Sequence, residues 1–249
     1  MPGRLVRVVW VVLRPKAVKQ LALFEIGIFT ISDVVLLTGI HATRVRRWVE
    51  EYSYRTMGGR KFSAPLWRFE HLNASNGDIW LTFDEMLEIR FVHQFREQGV
   101  TLAKIKAAIA ELRELVGAPY PFSRQKIYTD GASLFMTLDM GRRGRGLYEL
   151  TGSKNFVFPE VVWENLRTGL IFRNGIAVRW HPCEEARRVL VDPAIAFGQP
   201  VIEGTRISTY VLASAYKVEK DYTEVARWFG IGEDAVRDAV LFHTAKRAA

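Results

Sequence analysis

The segment over residues 29–52 constrains the fold more than any other part of the chain, because it has the pattern of two short amphipathic helices around one glycine. Thr30 or Ser32 can cap the first helix, and Gly39 suits a turn that requires a positive φ. The second helix is predicted over residues 41–52. The spacing of a helix-turn-helix follows. The apolar side chains expected to face the core share one side of each helix: Val34, Val35, Leu37, Val45, Trp48 and Val49.

The outward face of the second helix is basic, and a hairpin is predicted directly after it. Gly58-Gly59 marks the turn of that hairpin, with Arg60 and Lys61 expected at its tip. Arginine can bridge phosphates or bind guanine in the major groove. We therefore predict a winged helix-turn-helix that binds double-stranded DNA, the alternative being a packing unit with a solvated basic face. The predicted DNA-contacting residues are Thr43, Arg44, Arg46, Arg47, Arg60 and Lys61.

Charge is concentrated rather than spread evenly along the chain. The formal net charge is +8, and residues 40–68 carry seven Lys or Arg against two acidic residues. A basic patch of this kind is typical of a nucleic-acid surface. Cys183 is the single cysteine, which excludes an intrachain disulfide and a zinc site built on paired cysteines. We expect a reducing, cytoplasmic location.

The apolar stretch over residues 6–13 is shorter than the roughly 20 residues that a membrane-spanning helix needs. No convincing small-residue cleavage site follows it, so a signal peptide is not predicted. We expect no membrane association. The stretch is interpreted as a strand, or as an upstream extension outside the native protein.

Beyond the hairpin, the pattern indicates an α+β fold in two parts. Helices are predicted over residues 82–98 and 101–116, and the Gly and Pro residues at 117–121 mark a boundary. Short β segments follow, forming a small antiparallel sheet with a short helix over 161–169, and the tail is helical again. We predict an N-terminal DNA-binding domain over residues 1–118. The second domain, 119–249, combines the β region with a C-terminal helical module.

The tail contains a weak internal repeat of the first helix pair. Aligning Gly39-Ile40 with Gly230-Ile231 gives the second segment helix-turn-helix spacing as well. Its outward positions are Asp234, Ala235 and Asp238, and acidic groups there would repel phosphates. We therefore expect the second copy to form a protein surface rather than to bind DNA.

Residues 28–116 resemble the winged-helix domain of MerR-type regulators. The resemblance rests on FTISDVVLLTGIHATRVRRW, the Gly58-Gly59 wing and LTFDEMLEIRFVHQFREQGVTLAKIKAAI. It implies that the second helix enters the major groove and that the wing contacts phosphate. One departure matters: the chain turns to β structure at Gly117, where MerR proteins continue into a long dimerisation helix.

The tail from Val189 resembles a short bacterial domain of unknown function found in VapB-like antitoxins. The resemblance rests on Asp192-Pro193, Gly198-Gln199-Pro200-Val201-Ile202 and Gly204-Thr205-Arg206-Ile207. It implies binding of a cognate PIN-like toxin, or dimerisation. A homodimer is expected, because helix-turn-helix proteins usually bind two half-sites. The residues we assign to the partner surface are Thr205, Arg206, Trp228, Phe229 and Phe242.

Together these features favour an antitoxin that neutralises a PIN-type ribonuclease toxin and represses its own operon. The alternative is a stand-alone MerR-like regulator that senses a small ligand. An enzyme is disfavoured, because the sequence offers no catalytic cluster, and we expect no cofactor.

The grouping His181-Pro-Cys183-Glu184 breaks regular ligand spacing, so no metal site is predicted. Asp84, Glu85 and Glu88 are interpreted as helix-start carboxylates. The glycine-rich loop at 141–146 is either a phosphate-binding loop or a solvated turn.

Overall fold

The first two helices of the chain follow a short strand that pairs with a later, antiparallel strand. A computed structural model describes residues 27–66, 78–124, 127–129, 133–139, 145–150, 156–157 and 168–245. Within these ranges the protein is mixed α+β, with seven helices and several small antiparallel sheets. The strand predicted over 6–13 lies outside the described residues, as do most of the helix predicted over 161–169 and most of the 141–146 loop.

The helix pair at the N-terminal end matches the predicted pattern. Strand β1 (Phe29–Thr30) pairs with β4 (Trp80–Leu81), and α1 (Ile31–Thr38) and α2 (Ala42–Val49) follow β1. Thr30 caps α1 with a capping box: its hydroxyl accepts from the Asp33 N–H, while the Asp33 carboxylate accepts from the Thr30 N–H. Gly39 ends α1 at a φ of 74°. Helix α2 stops at Val49, earlier than predicted.

The predicted hairpin is present, but its tip differs from the prediction. Strands β2 (Tyr52–Thr56) and β3 (Gly59–Ser63) pair in register and are joined at Met57-Gly58. Arg60 and Lys61 therefore lie within β3, not at the tip. Gly59 takes the φ of 106° that starts β3, which a side chain would resist.

Two long helices pack beneath this unit. They are α3 (Phe83–Glu97) and α4 (Leu102–Val116), capped by Thr82 and Thr101 as the predicted helix starts require. The buried face of α3 includes two carboxylates and an arginine, namely Glu85, Glu88 and Arg90. Helix α4 ends at Gly117, which has a φ of 67°.

The remainder of the chain alternates small sheets with a helical module. Strands β5 (Ile127–Thr129), β6 (Leu134–Asp139), β7 (Arg145–Glu149) and β8 (Phe156–Val157) form a four-stranded antiparallel sheet in chain order. Two antiparallel pairs follow: β9 (Leu170–Arg173) with β10 (Ile176–Trp180), and β11 (Val189–Leu190) with β12 (Val201–Ile202). The helical module consists of α5 (Thr209–Glu219), α6 (Tyr222–Phe229) and α7 (Glu233–Ala245).

The N-terminal and C-terminal parts share one core. The Arg90 guanidinium on α3 lies 5.0 Å from the centre of the Trp180 ring on β10, and Arg90 donates to the Thr168 carbonyl at 3.3 Å. Phe29 and Phe242, near opposite ends of the chain, belong to the same cluster of buried side chains. Among the described residues, no helix has the length and apolar character needed to cross a membrane.

Candidate functional site

Helix α2 presents a basic face because its other side is anchored in the core. Val45, Trp48 and Val49 are buried. His41 caps the helix, since its ring Nδ1 accepts from the Thr43 N–H at 3.3 Å. The four polar residues predicted on the outward face are all exposed to solvent: Thr43, Arg44, Arg46 and Arg47.

Two arginines of this face, Arg44 and Arg46, have solvent-exposed carboxylate partners. Arg44 Nη1 lies 3.2 Å from Glu97 Oε1 on α3 and 3.3 Å from His93 Nδ1. Arg46 lies 3.8 Å from Glu50, one turn further along. Exposed ion pairs of this kind contribute about 0–1 kcal/mol, so phosphate can displace the carboxylates. The face thus has a concentrated positive charge that is not locked within the protein.

His93 lies 3.3 Å from Arg44, and its ring is partly buried. Its partial burial lowers the pKa of the imidazole, Glu97 opposes that change, and the nearby Arg44 adds to it. The His93 ring also lies 6.4 Å from the Trp48 ring. The histidine therefore connects the α2 core contact to the Arg44–Glu97 pair.

The hairpin continues this positive surface. Arg47 lies over the Tyr52 ring at 5.8 Å, which joins α2 to the first residue of β2. Arg60 donates to the Ser53 hydroxyl at 3.1 Å, and Lys61 lies opposite Tyr54 across the pair. Both basic residues are exposed.

Arg55 is a basic residue of the hairpin that the sequence analysis missed. It lies directly opposite Arg60 in the β2–β3 register, and both are exposed. Like charges opposite each other destabilise a strand pair. An anion bound beside the two side chains would relieve this repulsion. Counting outward from a turn at Met57-Gly58 would have placed these two arginines together.

The acidic residues at the start of α3 bind the connector that follows α4. The Tyr120 hydroxyl donates to Glu85, the Ser123 N–H donates to Glu88 at 2.8 Å, and Arg124 pairs with Asp84 at 3.3 Å. Glu88 is fully buried, and burial raises the pKa of its carboxyl well above the usual range. These carboxylates fasten one loop to one helix, which agrees with their interpretation as structural groups.

The Gly- and Pro-containing turns of the tail build a loop that packs against the N-terminal part. The Asp192 carboxylate accepts from Arg179 Nε at 2.6 Å and from the Ala194 N–H at 2.9 Å. Gly198 has a φ of 85°, and a Cβ there would lie 2.5 Å from the Phe29 ring. The Ile28 N–H donates to the Phe197 carbonyl at 2.9 Å. The loop at residues 196–198 therefore packs against β1.

The five residues assigned to the partner surface fall into different environments. Thr205 is turned inward, where its hydroxyl donates to the Ile202 carbonyl and accepts from the Ile207 N–H. Arg206 and Trp228 are exposed, and Phe229 packs partly against the core. Phe242 has no exposed surface, so it is a core residue and cannot bind a partner in this fold.

The pattern of the tail predicts a helix that begins near Thr205 and buries Tyr210, Leu212 and Val218, and α5 differs from that prediction. The helix begins at Thr209, with Ser208 as its cap, rather than near Thr205. Leu212 is buried as expected, but Tyr210 and Val218 are 67% and 85% exposed. Only one side of α5 packs against the module, which leaves an apolar stripe facing solvent.

Cys183 and His181 are two further titratable groups of the C-terminal part. The Cys183 thiol is buried and donates to Glu185 at 3.2 Å, and burial raises the pKa of that thiol. His181 lies 3.9 Å from Glu203. In the part of the chain that the structure describes, no three His, Cys, Asp or Glu residues are grouped to hold a metal ion. A groove of about 570 Å³ lies between the start of α3, Tyr120, β10 and residues 192–194.

Two comparisons with known proteins support the resemblance to antitoxins. Residues 189–242 match the family model described as Protein of unknown function (DUF433). The chain is 23% identical over 229 residues to "Putative antitoxin VapB45" of Mycobacterium tuberculosis, covering 87% of this chain and 94% of that protein. These weak similarities support a relation to toxin–antitoxin proteins.

A second curated M. tuberculosis protein and a solved M. tuberculosis structure are also similar. "Uncharacterized protein Rv2308" is 22% identical over 218 residues, covering 86% of this chain and 88% of the relative. The X-ray crystal structure of Rv2018 superposes with a TM-score of 0.54 at 18% identity, covering 85% of this chain and 96% of that one. That structure supports the fold alone. The mixed α+β architecture therefore extends over most of the chain.

Proposed function

We propose that the protein is an antitoxin that neutralises a cognate PIN-type ribonuclease toxin and represses its own operon by binding DNA. Residues 1–118 are the winged helix-turn-helix DNA-binding domain, and residues 119–249 carry the partner surface. The similarity to "Putative antitoxin VapB45" supports the toxin half of this function. The basic surface of α2 and the hairpin supports the DNA half.

One observation carries the DNA-binding role: the exposed α2 arginines continue into a hairpin on which two arginines oppose each other. Helix α2 acts as the recognition helix, with Thr43, Arg44, Arg46 and Arg47 toward the major groove. The hairpin acts as the wing, with Arg60 and Lys61 toward phosphate. Neutralising the Arg55–Arg60 pair adds a favourable contribution that the free protein lacks.

Charge reversal tests the DNA-binding role. Changing Arg44, Arg46 and Arg47 to Glu is expected to abolish operator binding in a mobility-shift titration while the circular dichroism spectrum is unchanged. The wild-type affinity should fall steeply with salt, because phosphate contacts release counterions. The matched control reverses three exposed arginines elsewhere: Arg173, Arg187 and Arg227. Equal loss of operator binding in both triple variants would show that net charge alone explains the effect. Undiminished binding by the variant at Arg44, Arg46 and Arg47 would refute the assignment of α2 as the recognition helix.

The proposed binding of the toxin depends on Trp228, an exposed aromatic side chain of α6. Trp228 is 53% exposed, and its indole N–H already donates to Glu224 at 2.8 Å. A tryptophan whose polar atom is satisfied offers a rigid apolar surface to a partner. Aromatic anchors of this kind contribute about 2 kcal/mol or more when they lie at the centre of an interface. Of the other residues assigned to the partner surface, Arg206 is exposed and Phe229 is partly exposed, so both can contact a partner.

Co-expression with the neighbouring toxin gene tests this surface in the full-length chain. The Trp228→Ala variant is expected to lose co-purification and growth rescue but to keep operator binding. Trp80→Ala is the control, because Trp80 is also partly exposed and lies on β4 in the N-terminal part. Retention of toxin by Trp228→Ala would place the toxin surface elsewhere.

The groove beside α3 favours a second candidate function, a stand-alone regulator that senses a small ligand. Its volume of about 570 Å³ is in the range of small-molecule sites. It contains Tyr120 and Arg179 as well as apolar side chains of β10, so a ligand there would contact both parts of the protein. A ligand that changes operator affinity in the absence of any toxin would support this function over the antitoxin.

A further inference from the structure

The groove beside α3 lies where the N-terminal and C-terminal parts of the chain meet. One wall is the start of α3 with Tyr120, and the other is formed by β9, β10 and residues 192–194. Small-molecule sites are mostly apolar, and a few polar groups fix the orientation of the ligand. The kind of molecule that this groove can bind therefore depends on which of its polar groups are still available.

The carboxylates on the α3 wall are already bonded within the protein. Asp84 pairs with Arg124 at 3.3 Å, and burial raises the pKa of the Asp84 carboxyl, because desolvation disfavours its charged form. Glu85 accepts from the Thr82 N–H at 2.7 Å and from the Tyr120 hydroxyl. This wall therefore offers no available carboxylate to a cation.

The guanidinium groups of the opposite wall retain available donors. Asp192, the third carboxylate of the lining, accepts from Arg179 Nε at 2.6 Å and from the Ala194 N–H at 2.9 Å. The two Nη groups of Arg179 have no hydrogen-bond partner among the described residues, and the side chain is 41% exposed. Arg173 is exposed and forms no ion pair or hydrogen bond with any residue that the structure describes. The charged groups that remain available in the groove are therefore positive.

Most of the remaining lining is apolar. Phe83 is buried at the base of the α3 wall, where its ring lies 6.2 Å from the Phe29 ring. Ile176 is 37% exposed, and Val178 and Pro193 are partly exposed. A ligand with an apolar body would remove these side chains from water, which favours binding.

We propose that this groove binds a small organic anion. Its apolar body lies against Phe83, Ile176 and Val178, and its carboxylate or phosphate group accepts from Arg173 and Arg179. A guanidinium presents paired N–H donors that match the oxygens of either group, in charge-assisted hydrogen bonds. The inference goes beyond the antitoxin function and requires neither DNA nor toxin, so its failure would leave that function untouched. It gives the second candidate function a chemical class of ligand.

Calorimetric titration of the full chain with probes that share one apolar body tests the proposal. Naphthoate is expected to bind about tenfold more tightly than naphthamide, because charge-assisted hydrogen bonds are about twice as strong as neutral ones. Naphthylmethylammonium should bind most weakly, and comparing naphthyl phosphate with naphthoate identifies the preferred anionic group. Absence of binding by both anions, or equal affinity for naphthoate and naphthamide, would overturn the proposal.

Variants of the lining locate the anion. Arg173→Gln should weaken naphthoate binding but not naphthamide binding, and adding Arg179→Gln should remove the preference for the anion. Arg187→Gln is the matched control, because Arg187 is also exposed but lies outside the groove. Ala194→Trp should block both probes by filling the groove, and because Ala194 is exposed the circular dichroism spectrum should be unchanged. Equal loss of both probes in Arg173→Gln, or an anion preference retained by the double variant, would refute the assignment to these arginines.

Discussion

Arg44 on α2 is paired with Glu97 on α3, at 3.2 Å between Nη1 and Oε1, although the two residues are 53 positions apart. The pair holds the first arginine of the basic face against the underlying helix in the free protein. In the proposed complex, DNA would compete with Glu97 for this guanidinium.

The first prediction concerns that competition. Glu97→Gln should strengthen operator binding by about two- to fivefold, because an exposed ion pair contributes about 0–1 kcal/mol that DNA must otherwise displace. Glu114→Gln, on the exposed side of α4, is the control for the loss of one negative charge. Fluorescence anisotropy at two salt concentrations measures both variants. Equal strengthening by both variants would show that Glu97 acts through net charge alone.

The second prediction concerns the opposed arginines of the hairpin. Arg55→Thr should increase the free energy of unfolding by a few tenths of a kcal/mol, roughly the effect of removing a like-charged cross-strand pair. The same change should weaken operator binding and reduce the salt slope by about 1. Urea denaturation and anisotropy titrations measure the two quantities. Weaker binding together with lower stability would indicate that the hairpin had unfolded, contrary to this account.

The third prediction concerns pH. Burial raises the folded pKa of Glu88 above its unfolded value near 4.5, so the folded state binds this proton more tightly. Stability from this group is therefore fully present below pH 4.5 and is lost as pH rises toward the folded pKa. Glu88→Gln should increase the free energy of unfolding at pH 7, because the amide removes the carboxylate whose burial raises the pKa of Glu88. The gain should disappear at pH 4, and a gain that is equal at both pH values would contradict the burial argument.

The fourth prediction concerns Gly198. Gly198→Ala should destabilise the protein by about 2–3 kcal/mol, because it combines a positive φ with a collision against the Phe29 ring. Gly204→Ala is the matched control: its φ is 76°, but no atom lies within 4 Å of the added Cβ. The difference between the two free energies of unfolding isolates the collision. Similar losses in both variants would show that backbone conformation explains the whole effect.

Local features of the fold could be predicted from the sequence, because they depend on neighbouring residues. Thr30, Thr82 and Thr101 cap helices through groups three positions away, and Gly39 ends α1 through its own φ. The antiparallel strands and the second helix pair, around Gly230, also follow from local pattern. The α+β class was therefore accessible without coordinates.

Features that depend on distant contacts were not accessible. Phe242 was expected at a partner surface but is buried, because the sequence does not state which side of α7 packs against α5. Tyr210 and Val218 were expected in the core but are exposed, because the sequence does not state which side of α5 packs against the module. The Arg55–Arg60 pair required the position of the hairpin turn, which the Gly58-Gly59 pattern placed one residue too late. The Arg44–Glu97 pair required the packing of α3 beneath α2.

The packing of Phe29 against Gly198 has a consequence for how this protein can be divided. The segment over residues 189–242 recurs as a family of its own, yet here an aromatic ring from the opposite end of the chain closes its loop. A fragment cut at residue 118 would leave that loop without its cover. Transplanting the module into another protein would require the recipient to supply a substitute ring.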